Sequence, residues 1–167
     1  PPQYRRDAMS ALQQEHGACT PGDDALAVAR ALSFVELMEL LEFSCLRFEA
    51  PAPGANAALI GTQEWRRAAG PGLDPSAVYI CSTLAALKDA VLPPADADLC
   101  IDMPSTGLVR LVATLRQRPP APPRRCLRVD LQALIRRVIV PATAPAHLYE
   151  LVRHVVMARL WVEVARA

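Results

Sequence analysis

The chain has 167 residues, of which 52% are hydrophobic and 21% charged, enough apolar material for one packed core and too little length for two. That balance excludes global disorder. The most apolar stretch, Val155 to Val164, is interrupted by Arg159 and Glu163, well short of the about 20 apolar residues that span a bilayer. No charged, then apolar, then small-residue leader pattern opens the sequence, and its start at Pro1 reads as a fragment of a longer protein.

The formal net charge of +1 conceals a division at Met103. Residues 1–103 carry seven cations against fourteen acids, a balance of −7, and residues 104–167 carry eleven arginines against Asp130, Glu150 and Glu163, a balance of +8. Seventeen of the eighteen basic residues are Arg, with Lys88 the sole lysine. Cys19, Cys45, Cys81, Cys100 and Cys126 are odd in number and contain no C-x-x-C pair. Neither a disulfide framework nor a zinc ribbon is indicated, and a reducing intracellular compartment, cytoplasm or nucleus, is the plain reading.

Taken in chain order, Thr20-Pro21 with Asp23 reads as an N-cap, a first helical position and a third-position acid. Ser33 with Glu36 has the spacing of a capping box, opening a stripe of Phe34, Leu37, Met38, Leu41, Cys45 and Phe48 at helical intervals. Asp74-Pro75 starts the next segment, with Ala77, Ile80, Cys81, Leu84, Leu87 and Val91 as its stripe. Asp98 to Met103 alternates apolar and polar residues between proline breaks, the pattern of a strand. Ser105 or Thr106 caps a helix carrying Leu108, Leu111, Val112 and Leu115. Leu127, Leu131, Leu134, Ile135 and Val138 mark another, and the last runs from about Pro145 to Arg166.

Leu46 to Glu49, Val78 to Cys81 and Leu127 to Leu131 also suit strands, which would make the middle of the chain β-α-β-α-β. Helix is preferred because the helical stripes pass through these segments without a phase break, and because Ala and Leu outnumber the β-branched residues. The expected architecture is mainly α: one domain over 1–167, a multi-helix bundle or short helical stack with a small β element near 98–103. Val155 to Val164 is apolar all round, which suits a central buried helix or one with a second, partner-facing side.

Little chemistry is encoded in motifs. The seven glycines form no phosphate-binding or nucleophile-elbow pattern, so no catalytic residue and no cofactor is expected. His147, Glu150 and His154 project from one side of the last helix, with His16 and Cys19 as distant donors, but the spacing is too loose to assign a metal. Leu37-Met38-Glu39-Leu40-Leu41 matches an L-x-x-L-L docking helix whose leucines are also the core stripe. Pro119, Pro122 and Arg124 form a P-x-x-P-x-R motif that fits polyproline-binding grooves, and equally a stiff loop.

The expected role is a non-enzymatic helical protein–protein interaction or oligomerisation domain, regulatory or structural and from a GC-rich genome such as that of a large DNA virus. Its partner-binding residues would be Trp161, Met157, Pro119, Pro122 and Arg124, and the partner another protein or a second copy. The alternative is nucleic-acid binding by Arg110, Arg116, Arg118, Arg124, Arg125, Arg128, Arg136 and Arg137, a cluster broken only by Asp130. No aromatic residue lies between Met103 and Tyr149 to stack on bases.

Overall fold

In the computed structural model, which describes residues 23–67, 72–105, 107–117 and 123–167, the chain is sheet-rich and not a helical bundle. Its strands are β1 (Ala27–Leu32), β2 (Cys45–Arg47), β3 (Leu59–Arg67), β4 (Val78–Thr83), β5 (Val91–Leu92), β6 (Ala97–Ser105), β7 (Leu108–Leu115), β8 (Cys126–Val129), β9 (Arg137–Val140) and β10 (Glu163–Arg166). The helices are α1 (Phe34–Phe43), α2 (Leu84–Ala90), α3 (Leu131–Leu134) and α4 (Ala146–Met157). A seven-stranded sheet has the order β10-β9-β4-β1-β3-β7-β6, and a second sheet the order β2-β8-β5. Every pairing is antiparallel except β9 with β10. Parallel neighbours need a crossover connection, and α4 supplies it.

Register explains the core. Val28, Arg30 and Leu32 of β1 face Ser82, Ile80 and Val78 of β4, while Gln63 and Trp65 of β3 face Leu111 and Val109 of β7. All lie on one side of the large sheet and, apart from half-buried Arg30, are buried. Leu37, Leu40 and Leu41 of α1, Leu84 and Leu87 of α2, Val152 and Val156 of α4, and Leu127 and Val129 of β8 complete the same hydrophobic cluster. The opposite face of the large sheet carries Ala29, Ala31, Tyr79, Glu64 and Arg110, which are half-buried or exposed.

The two sheets are joined by polar contacts buried among apolar ones. Trp65 donates its indole N–H to Gln63 Oε1 at 2.8 Å, and Gln63 Nε2 donates to the Arg47 carbonyl of β2 at 2.9 Å. Glu49 and Thr62 exchange backbone hydrogen bonds beside them. Gly61 makes this approach possible: a Cβ there would collide with the Glu49 carbonyl and lie 2.9 Å from Phe48 Cβ.

Several sequence expectations are corrected. The capping box holds, with Glu36 N–H donating to Ser33 Oγ and Ser33 N–H donating to the Glu36 carboxylate, but α1 ends at Ser44. That residue adopts a left-handed conformation, φ 50, and the chain turns into β2 where the stripe predicts continued helix. The stripe from Ala77 to Val91 is strand β4 followed by helix α2. The expected helix over Leu108 to Leu115 is β7, entered through a turn at Gly107, φ 87; Val109, Leu111 and Ala113 are buried in strict alternation. The expected helix from Leu127 to Val138 divides into β8, one turn of α3 and β9. The last helix stops at Met157, and β10 follows. The strand expected at 98–103 is present as β6. The Thr20-Pro21 cap lies outside the described residues.

Candidate functional site

Helix α4 buries Val152 and Val156, which with Leu160 step at four residues and fix its inward side. Its other side presents His147, Glu150, Leu151, Arg153, His154 and Met157 to solvent. The helix ends in a turn in which Leu160 N–H donates to the Val156 carbonyl at 2.8 Å. Leu160 then enters the core, while Trp161 beside it is left 93% exposed. This overturns the central-helix reading of Val155 to Val164: the stretch combines a helix end, a turn and a strand start, so its apolar residues divide between core and solvent.

Two more large apolar side chains stand out nearby, Met157 at 54% and Phe43 at 68% exposure. Glu42 and Arg159 form an ion pair that ties the end of α1 to the turn after α4, so Phe43 and Trp161 each lie within two residues of one contact. Along α4, beside this corner, Glu150, Arg153, His154, Met157 and Ala158 line an open depression of about 410 Å³. The site therefore holds a projecting indole, a neighbouring hollow and charges of both signs.

His147, Glu150 and His154 are exposed on α4. Among the described residues, no three His, Cys, Asp or Glu side chains are placed to hold a metal. Leu37, Leu40 and Leu41 of the L-x-x-L-L match are buried, which removes them as a docking edge. Pro119, Pro122 and Arg118 lie outside the described residues, and Arg124 is exposed just ahead of β8.

The arginine cluster is contiguous only in sequence. Arg110 lies on β7 between Glu64, at 3.3 Å, and Asp102, at 3.9 Å. Arg116 binds the Asp98 carboxylate at 2.8 Å, and that contact holds Asp98 below the usual carboxylate range. Arg137 pairs with Glu163, and Arg125 donates to the Ile60 carbonyl at 2.6 Å. Arg128 is exposed on the small sheet and Arg136 ahead of β9. Four of these arginines thus serve contacts within the protein, distributed over two sheets.

What the residue order did not reveal is the cross-sheet polar seam of Gln63, Trp65 and Arg47, and the approach of Cys45 to Cys126. Both depend on pairings between distant strands. The described part of the chain contains no helix long and apolar enough to cross a membrane. No family model, curated protein sequence or solved structure matches the chain. The helical interaction domain expected from the sequence is overturned by the sheet-rich architecture.

Proposed function

We propose that this sheet-rich domain binds a second copy of itself through the corner formed by Trp161, Met157 and Phe43. The observation that carries the reading is the 93% exposure of Trp161. An indole is among the most costly side chains to leave in water and among the most frequent interface anchors. A two-fold contact requires a self-complementary patch. This corner offers a knob, Trp161, next to a hollow on α4, and both Glu150 and Arg153 on the rim of that hollow. Across a two-fold axis the indole of each copy fills the hollow of the other, and Glu150 meets the partner's Arg153. The role assigned is recognition, with no reaction attached.

The proposed setting is intracellular. Cys45, Cys81, Cys100 and Cys126 are free thiols, and thiols left unpaired in a stable domain suit a reducing compartment.

Sedimentation of the full chain tests the contact. The wild type is expected to dimerise, Trp161→Ala and Met157→Ala to move it toward monomer with an unchanged circular dichroism spectrum, and Glu150→Arg or Arg153→Glu each to weaken it. Combining Glu150→Arg with Arg153→Glu is expected to restore association, because the reciprocal pair is rebuilt with reversed signs. A wild type that stays monomeric at high concentration overturns the proposal.

A further inference from the structure

Strands β2 and β8 pair antiparallel with Cys45 opposite Arg128 and Arg47 opposite Cys126. The two cysteines are therefore diagonal neighbours, with their side chains on one face of the small sheet. Leu46 and Leu127, between each cysteine and its arginine neighbour, point the other way and are buried. The two thiols are near enough to influence each other, and both are free and half-buried, within reach of solvent. Glu39 and Arg47 form an ion pair beside them. Cys81 and Cys100 belong to the other sheet, on β4 and β6.

We propose that Cys45 and Cys126 are an oxidant-responsive thiol pair, converted reversibly to a disulfide by hydroperoxides. In the first step the Cys45 thiolate attacks one oxygen of hydrogen peroxide. An S–O bond forms, the O–O bond breaks, and the departing hydroxide takes up a proton to become water. In the second step the Cys126 sulfur attacks the resulting sulfenic acid. The S–S bond forms, the S–O bond breaks, and the hydroxide released combines with the proton from Cys126. Two thiols have then lost two electrons and two protons, and one peroxide has become two waters. A reduced dithiol reverses the change by thiol–disulfide exchange.

Burial, together with the neighbouring Cys45, pushes the Cys126 thiol up to about 12. The proposed order, Cys45 first and Cys126 as the resolving thiol, is read directly by the two single variants. The linkage would close a loop of roughly 80 residues and fasten the strand following α1 to β8, so the oxidised protein should unfold at a higher temperature.

The test is made on the full chain, oxidised with a small excess of hydrogen peroxide, unfolded in guanidinium chloride so that every free thiol is open to reagent, alkylated with iodoacetamide, digested and read by mass spectrometry. Two of the five thiols should become resistant to alkylation and appear as a Cys45–Cys126 linked peptide, with dithiothreitol restoring both. Cys126→Ser should leave Cys45 trapped as a sulfenic acid that reacts with dimedone, while Cys45→Ser should leave Cys126 alkylatable. The proposal fails if both cysteines of the oxidised wild type remain alkylatable, or if either links to Cys19, Cys81, Cys100 or another molecule. The wild-type result does not depend on the folding of any variant. It reads a bond within one chain, so it stands or falls separately from the dimer.

Discussion

Gln63 shows how much one buried amide can organise. It is 1% exposed, accepts from the Trp65 indole and donates to the Arg47 carbonyl, and so links the large sheet to the small one. Gln63→Ala would leave a fully buried indole N–H and a strand carbonyl without these partners, and would open a cavity next to Trp65. Losing a partner of a buried polar group costs about 1–3 kcal/mol, and the cavity adds to this. Urea unfolding should show Gln63→Ala less stable by about 2–4 kcal/mol; a loss below about 0.5 kcal/mol, the range of ordinary surface changes, would mean that the seam is not structural. Arg30 lies in the same region, donates to the Glu64 carbonyl at 2.9 Å, and has its pKa lowered by burial against the opposing pull of Glu49, Glu36 and Glu64.

Among the elements, α1 has the most explicit sequence instructions. The Glu36 carboxylate accepts from Ser33 N–H at 2.7 Å, and this bond with the adjacent Ser33 side chain holds it below its ordinary value of 4.5 despite partial burial. A carboxylate with a lowered folded pKa contributes stability fully above the unfolded value. That contribution is lost as pH falls through the folded value. Glu36→Gln keeps an acceptor oxygen and removes the charge at the helix N-terminus. The wild type should exceed it in stability by a few tenths to about 1 kcal/mol at neutral pH, reduced by solvent screening, and the gap should close as pH falls through the lowered folded value. A gap that persists in acid would assign the effect to something other than the carboxylate charge.

This cap was legible because it is local, a hydroxyl and a carboxylate three residues apart. The strands were not, for a reason visible in β7. Leu108, Leu111, Val112 and Leu115 fall at helical spacing, yet only Leu111 of the four is buried, and Val109 and Ala113 complete the true inward row. A segment apolar on both faces satisfies both periods at once. Tertiary pairing then decides, and it overrides the modest helix preference of Ala and Leu. Central strand β1 is a second case: Ala27, Ala29 and Ala31 alternate with Val28, Arg30 and Leu32, so the alanines that suggested helix form the small-residue face of a sheet. Of the proposed corner, Trp161 and Met157 could be named from the apolar stretch Val155 to Val164, while Phe43 joins them only through the Glu42–Arg159 pair.

Over the whole molecule, the charge division at Met103 is answered within the fold. Glu64 and Asp102 meet Arg110, Asp98 meets Arg116, and Glu42 meets Arg159, four contacts between the acidic part and the basic part. Complementary halves suggest a molecule held together by charge, but the geometry argues otherwise. Both residues of the Asp98–Arg116 and Glu42–Arg159 pairs are about half exposed or more, and such pairs contribute little because solvent screens them. The hydrophobic cluster, in contrast, takes residues from both parts: Val28, Trp65 and Ile80 from one, Leu111, Val138 and Val156 from the other. Fully burying each such side chain is worth roughly 1.5–3 kcal/mol. The core should therefore dominate cohesion between the halves. Raising sodium chloride to about 1 M shortens the Debye length to about 3 Å and screens exposed pairs, so the unfolding free energy should change by no more than about 2 kcal/mol. A double-mutant cycle on Glu42→Ala and Arg159→Ala should return about 0.2–1 kcal/mol of coupling. A steep loss of stability with salt, or a coupling of several kcal/mol, would instead make charge complementarity the force that joins the two parts.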